Sequence, residues 1–391
     1  MFGLSVDNWK KMNGFNTAKE IYQQPEIWSK CLATIEKQKT IIEKFINENL
    51  NKNNIRVIFS GAGTSAYIGD IITPELNSKK NYIFESIPTT DIVANPQDYL
   101  KKDIPTLLVS FARSGNSPES IAAYDLANVL IDDVNHIIIT CNEEGELINI
   151  SKNDEKVLHL IMPEESNDKG FAMTSSFSCM TLVASLIFDM ECFEKNKTQI
   201  FKMIDLGRDI LENKYMNVDQ LLDIDFERVV YLGSGSLYGL SKESGLKLLE
   251  LTRGKVITLS ETPLGFRHGP KSMLNDRTLV FIYISDDEYS RKYELDLLNE
   301  LYNDKGAHRV ISIASKYREE IEIASDYNFY LTDDENDIKN KSLLSLLYIL
   351  YAQIFALKSS VKLKVEPDNP NPYGLVNRVV KGVTIYNYKG E

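Results

Sequence analysis

Apolar residues recur at helical spacing through residues 26–50, and the polar cluster Asn51-Lys52-Asn53-Asn54 ends the run. The pattern predicts helices over residues 16–50, with Asn16-Thr17-Ala18-Lys19-Glu20 able to supply a capping box. The period then changes. Residues 56–59, 106–111, 136–140 and 157–161 are short, nearly continuous apolar runs with helical stretches between them. Such runs predict parallel strands covered on both faces. The order recurs with runs at 229–232, 278–284 and 309–313. Each series opens as strand, Gly/Ser-rich loop, helix, so two α/β lobes are expected, joined by helical residues from 177 to 222. The most apolar run, 343–357, is too short to span a bilayer and contains Ser345 and Gln353; it predicts a buried helix. Pro367, Pro370 and Pro372 predict an extended tail, which ends in a strand-like Val383-Thr384-Ile385-Tyr386.

Composition narrows the function. The 391 residues are 43% apolar and 26% charged, which is globular and sufficient for two or three domains. Lys+Arg number 44 against 56 Asp+Glu, a net charge of -12. Nucleic acid and anionic membranes are therefore poor partners, and an anionic small substrate needs a local cradle. Cys31, Cys141, Cys179 and Cys192 form no CxxC, which suits reduced thiols and a cytoplasmic location. The N-terminus lacks an apolar stretch of signal-peptide length. His136, His159, His268 and His308 have no metal-ligand spacing, so neither metal nor cofactor is expected.

Two loops carry candidate binding chemistry. Ser60-Gly61-Ala62-Gly63-Thr64-Ser65 lies between a strand and a helix, where backbone N–H groups and the helix dipole favour an anion. It also fits a loose dinucleotide fingerprint, with Glu85 placed as a ribose-binding acid. Arg113-Ser114-Gly115-Asn116-Ser117-Pro118 follows the next strong strand. Two adjacent hydroxyl-rich cradles suit one monophosphate better than a dinucleotide; the bland alternative is two capped helices without a ligand. No G-x-x-x-x-G-K-[ST] occurs.

Two further stretches carry acid–base groups. Glu243, Lys247 and Glu250 fall on one face of a helix over residues 240–251, read on periodicity alone as a solvated ion-pair row. In Gly265-Phe266-Arg267-His268-Gly269-Pro270-Lys271 a loop presents a histidine suited to proton transfer near neutral pH.

SGAGTSAYIGD (60–70), SFARSGNSPES (110–120), GFAMTSSFS (170–178), ESGLKLLELT (243–252), ETPLGFRHGPK (261–271) and NRVVKGV (377–383) together resemble proteins with two sugar-isomerase (SIS) domains. The sequence is most similar to the AgaS family of tagatose-6-phosphate ketose/aldose isomerases and galactosamine-6-phosphate deaminases. The resemblance implies two flavodoxin-like, three-layer SIS domains: a helical segment at 1–46, a phosphate-binding domain at 47–200, a linker helix and acid–base domain at 201–365, and a tail at 366–391. It implies that Gly63, Thr64, Ser65, Arg113, Ser114, Asn116 and Ser117 bind a sugar phosphate. The isomerase half of glucosamine-6-phosphate synthase, a more distant relative, implies that Glu250 is the base, His268 opens the ring and tail residue Lys381 is catalytic. That synthase also needs a glutaminase domain with cysteine after Met1; residue 2 here is Phe2, so free ammonia release or plain isomerisation is expected. Related enzymes build their sites at subunit interfaces, so a homodimer or homotetramer is expected. A non-catalytic sugar-phosphate sensor would need the loops but not Glu250 and His268.

Overall fold

The computed structural model describes residues 1–304, 306, 308–333, 338–380 and 382–388. Among the described residues, ten strands form two five-stranded parallel sheets. The first contains β1 (Arg56–Ser60), β2 (Ile83–Ser86), β3 (Thr106–Ala112), β4 (Val134–Thr140) and β5 (Val157–Ile161), in the order β2-β1-β3-β4-β5. The second contains β6 (Arg228–Leu232), β7 (Ile257–Glu261), β8 (Thr278–Tyr283), β9 (Arg309–Lys316) and β10 (Tyr327–Thr332), in the order β10-β9-β8-β6-β7. In each sheet the first strand has the second on one side and the third on the other. The chain reverses direction across the sheet there, opening a crevice at the strands' carboxyl ends. The repeat legible in the sequence is thus a repeat of topology, as the α/β reading expects.

The chain forms two compact units. One comprises Ile27–Asp168, Ser175–Phe193 and the described part of Tyr373–Glu391. Its core packs Ile58 and Leu108 of the sheet against Ala123 and Ala127 of the helix Pro118–Leu130. The helix Ser175–Ile187 is buried along its whole length. The other unit comprises Met1–Glu26, Lys169–Thr174 and Glu194–Pro372. Here Val230, Val280 and Val310 pack with Leu297, Leu298 and Leu301 of the helix Glu288–Asn303.

Three expectations change. The apolar run at 343–357 belongs to a helix of 22 residues, Lys341–Lys362, which by length and composition alone could cross a membrane. Burial decides its role: 89% of its apolar window is inside the protein, against helices such as Ser236–Leu251. The strand expected at 383–386 is irregular backbone. Its side chains stay exposed and line a cavity of about 720 Å³ with Thr90, Val93, Ala122 and Leu126. The capping box at 16–20 does not form either. The helix Phe15–Tyr22 has Gly14 at its N-cap and no side-chain cap from its own turn. Asp368 caps it instead, accepting from Asn16 N at 2.9 Å, Thr17 N at 2.8 Å and Thr17 Oγ1 at 2.7 Å. Glu20 turns to the backbone N–H groups of Lys169 and Gly170.

Asp368→Ala therefore removes a helix cap and should cost about 1 kcal/mol. Urea unfolding at fixed pH measures it; an unchanged midpoint would show that the carboxylate is not needed.

Candidate functional site

The first-lobe cradle is built where β1 and β3 lie side by side, with Ser60 in register with Ser110. Gly63 ends the loop at φ 56°, ψ −125° and serves as N-cap to the helix Thr64–Lys79. An L side chain rarely adopts that conformation. Gly61 is needed for a different reason: a Cβ there would lie 2.5 Å from the Ser65 side chain. Thr64 and Ser65 are buried in the first turn, so the helix's leading N–H groups face the loop. The second loop is tied down by its own side chains. Ser114 Oγ accepts from Asn116 N at 3.3 Å, Asn116 Oδ1 accepts from Glu146 N at 2.9 Å, and Ser117 Oγ bonds Ser120 Oγ at 2.7 Å. Asn142 Nδ2 donates to Ser114 O at 2.8 Å. Gly115, at φ +67°, lies against Gly145. Arg113 is nearly buried and donates from Nη2 to Arg378 O at 2.6 Å, so it fastens the tail to this loop. Arg378 in turn donates to the carbonyl of Asp168. Lys381 lies outside the described residues.

Glu85, the acid a dinucleotide would need, is paired with Arg56 across β1 and β2. Among the described residues one group, Asp189, Glu191 and Cys192, could gather around a metal ion. The ammonium of Lys80 already answers its carboxylates, 3.2 Å from Asp189 and also paired with Glu191.

In the second sheet, the helix Ser236–Leu251 carries the acid–base row. It lies close over β7, where a Cβ on Gly245 would stand 2.8 Å from Ser260 Oγ. Glu243 and Lys247 are fully buried; Glu250 keeps 26% of its side chain exposed. Lys247 Nζ lies 3.5 Å from Glu243 Oε1 and 2.5 Å from Glu250 Oε2. The solvated-row reading therefore fails. A buried ammonium holds one carboxylate in the interior and a second at the surface. A charge removed from water needs such partners.

His268 is exposed in a short loop between β7 and β8. Thr262 caps the turn Pro263–Phe266, accepting from Gly265 N at 3.0 Å. Arg267 and Lys271 flank the histidine but turn to the helix Glu288–Asn303. Lys271 Nζ lies 2.5 Å from Glu300 Oε1 and 2.5 Å from Asp304 Oδ2, and Arg267 lies 2.7 Å from Glu300 Oε2. Lys271, then Arg267, hold the Glu300 carboxyl below its ordinary range. These cations pin the loop and leave the imidazole at the surface.

Topology separates Glu250 from His268. The helix Ser236–Leu251 leaves the carboxyl end of β6 and returns to the start of β7, running antiparallel to both strands. Glu250, one residue before its end, stands at the amino edge of the sheet. His268 follows the end of β7 by a few residues and stands at the carboxyl edge. A five-residue strand spans roughly 17 Å, beyond the reach of one proton transfer.

The SIS domain family pattern matches residues 49–190 and 224–362. The chain is 42% identical over 381 residues to an Escherichia coli protein named D-galactosamine-6-phosphate deaminase AgaS, covering 95% of this chain and 96% of that one. A solved structure from Clostridium novyi NT, of a protein proposed to be a tagatose-6-phosphate ketose/aldose isomerase, matches with TM-score 0.97 and 47% identity, covering 99% of each chain. The tagatose-6-phosphate ketose/aldose isomerase structure from Escherichia coli matches with TM-score 0.88 and 38% identity, again covering 99% of each.

Replacing Lys247 by Met leaves Glu243 in the interior without its ammonium. The loss expected in equilibrium unfolding is about 3–5 kcal/mol, and Glu243→Gln in the same chain should recover part of it. A stable Lys247→Met protein would contradict the ion-pair account.

Proposed function

The chain belongs to the SIS domain family and, within it, to the AgaS group, and from that premise we propose that it converts D-galactosamine 6-phosphate and water to D-tagatose 6-phosphate and ammonia. Residues 47–200 hold the phosphate in this reading, through Gly63, Thr64, Ser65, Ser114, Asn116 and Ser117, with Arg113 placing the tail beside them. Residues 201–365 supply the acid–base chemistry, and the tail, 366–391, brings Lys381.

His268 moves the anomeric proton and opens the ring. Glu250 removes the proton from C2 of the open aldehyde, giving an enolamine, and delivers a proton to C1. The product is the C2 imine of the ketose. Water adds to that carbon and ammonia leaves. The buried Lys247 keeps the Glu250 carboxylate oriented at its side while the other oxygen works at the surface, which is what a general base needs. On a substrate without the amine, the same shuttle is an aldose–ketose isomerisation, the activity in the names of the matched structures.

The observation that carries this reading is the row Glu243, Lys247, Glu250, with one carboxylate reaching solvent. The separation of Glu250 from His268 supports a homo-oligomer, a dimer or tetramer, in which the loop of one copy serves the helix of the next. The four cysteines carry no disulfide, which suits the cytoplasm, where sugar phosphates are metabolised.

Ammonia release from D-galactosamine 6-phosphate, with D-glucosamine 6-phosphate beside it, tests the reaction. Release from the galacto sugar, lost in His268→Ala, is the expected result; no release from either sugar would overturn deamination. Mixing His268→Ala with Glu250→Ala subunits tests the shared site. Random dimers should regain about a quarter of wild-type activity, because half of the hybrids' sites receive both native groups. No recovery from subunits that demonstrably exchange would refute sharing.

A further inference from the structure

The second lobe repeats the first-lobe cradle almost angle for angle. Gly235 caps the helix Ser236–Leu251 at φ 57°, ψ −122°, as Gly63 caps Thr64–Lys79 at φ 56°, ψ −125°. Gly233 has the place of Gly61: a Cβ there would lie 2.2 Å from Leu237 O. Both loops leave the first strand of their sheet, beside the loop that leaves the third. Ser236 has the place of Thr64, and its buried hydroxyl has no hydrogen-bond partner among the described residues. A backbone that cradles a phosphate in one lobe is therefore present in both.

The crevice beside it differs. In the first lobe the neighbouring loop is Ser114-Gly115-Asn116-Ser117; in the second it is Ser285-Asp286-Asp287. Into the second crevice reaches Glu294, from the helix Glu288–Asn303, with no exposed surface. Its Oε2 accepts from Ser285 N at 2.7 Å, and the Ser234 side chain of the glycine loop also favours its charged form. Its Oε1 has no hydrogen-bond partner among the described residues. Burial pushes this carboxyl up to about 7 against those donors. In either protonation state it fills the crevice, and beyond Cβ the side chain is close in bulk to one phosphate.

We propose that the second lobe carries a latent phosphate cradle, shut by Glu294, and that this residue decides which of two similar loops receives the substrate's phosphate. The inference rests on the reading that the first-lobe loops hold a phosphate. It gives Glu294 a role as a specificity determinant: it keeps the sugar phosphate from binding in the wrong lobe.

Inorganic phosphate counted per chain by equilibrium dialysis at pH 8 tests the proposal. Wild type should bind one and Glu294→Ala two, while Glu294→Gln, which still fills the crevice, should bind one. Adding Thr64→Ala and Ser114→Ala to Glu294→Ala should return the count to one, held in the second lobe. If Glu294→Ala does not fold, Glu294→Ser leaves a hydroxyl to answer the Ser285 N–H and is scored the same way. A Glu294→Ala count equal to that of wild type overturns the proposal. A wild-type count of zero overturns the first-lobe reading; in that case a count of one in Glu294→Ala still supports the latent cradle and zero refutes it.

Discussion

Lys247 has no contact with solvent, and its ammonium must be neutralised where it stands. Glu243, one turn earlier, does so from the interior, and Glu250, nearly one turn later, does so from the surface. The spacing of these three residues is thus set by helix geometry, and their burial by a helix lying close over β7 with glycine at the point of approach. The arrangement orients Glu250 without removing it from solvent. A half-buried ion-pair row of this kind is costly to break.

The rest of the proposed site follows from topology. A parallel sheet sends its glycine loops to one edge and the far ends of its helices to the other. The phosphate cradle and the His268 loop therefore lie at carboxyl edges of their sheets, and Glu250 lies at an amino edge. One copy of the second lobe keeps Glu250 and His268 at opposite edges of its sheet. The proposed symmetric oligomer would bring them together without any change in the fold. The repeat also leaves two similar glycine loops, with the buried Glu294 beside the second, and the proposal gives Glu294 the choice between them.

Central strands were legible in the sequence because both faces are buried: 56–59, 106–111, 136–140, 229–232, 278–284 and 309–313 all lie within β-strands or end one residue beyond one. Ile83–Ser86, Ile257–Glu261 and Tyr327–Thr332 were not. They carry glutamate, serine, asparagine or threonine among their apolar residues, whereas Val157–Ile161, an edge strand like them, keeps Val, Leu, Leu and Ile and matches the run at 157–161. The β-branched residues at 383–386 imitate a strand, but they stay exposed and pair with no sheet edge. Periodicity placed Glu243, Lys247 and Glu250 on one face. It could not say that the face was buried, since Lys341–Lys362, the helix packed on theirs, is distant in sequence. The cap from Asp368 reaches Asn16 across 352 residues of sequence, and no local pattern encodes it.

The central claim is that Glu250 is the base. It is tested most directly by kcat of Glu250→Gln for ammonia release from D-galactosamine 6-phosphate, on protein whose thermal midpoint and phosphate binding match wild type. The account predicts a fall of about 10²–10⁴-fold. Near-normal turnover would contradict it.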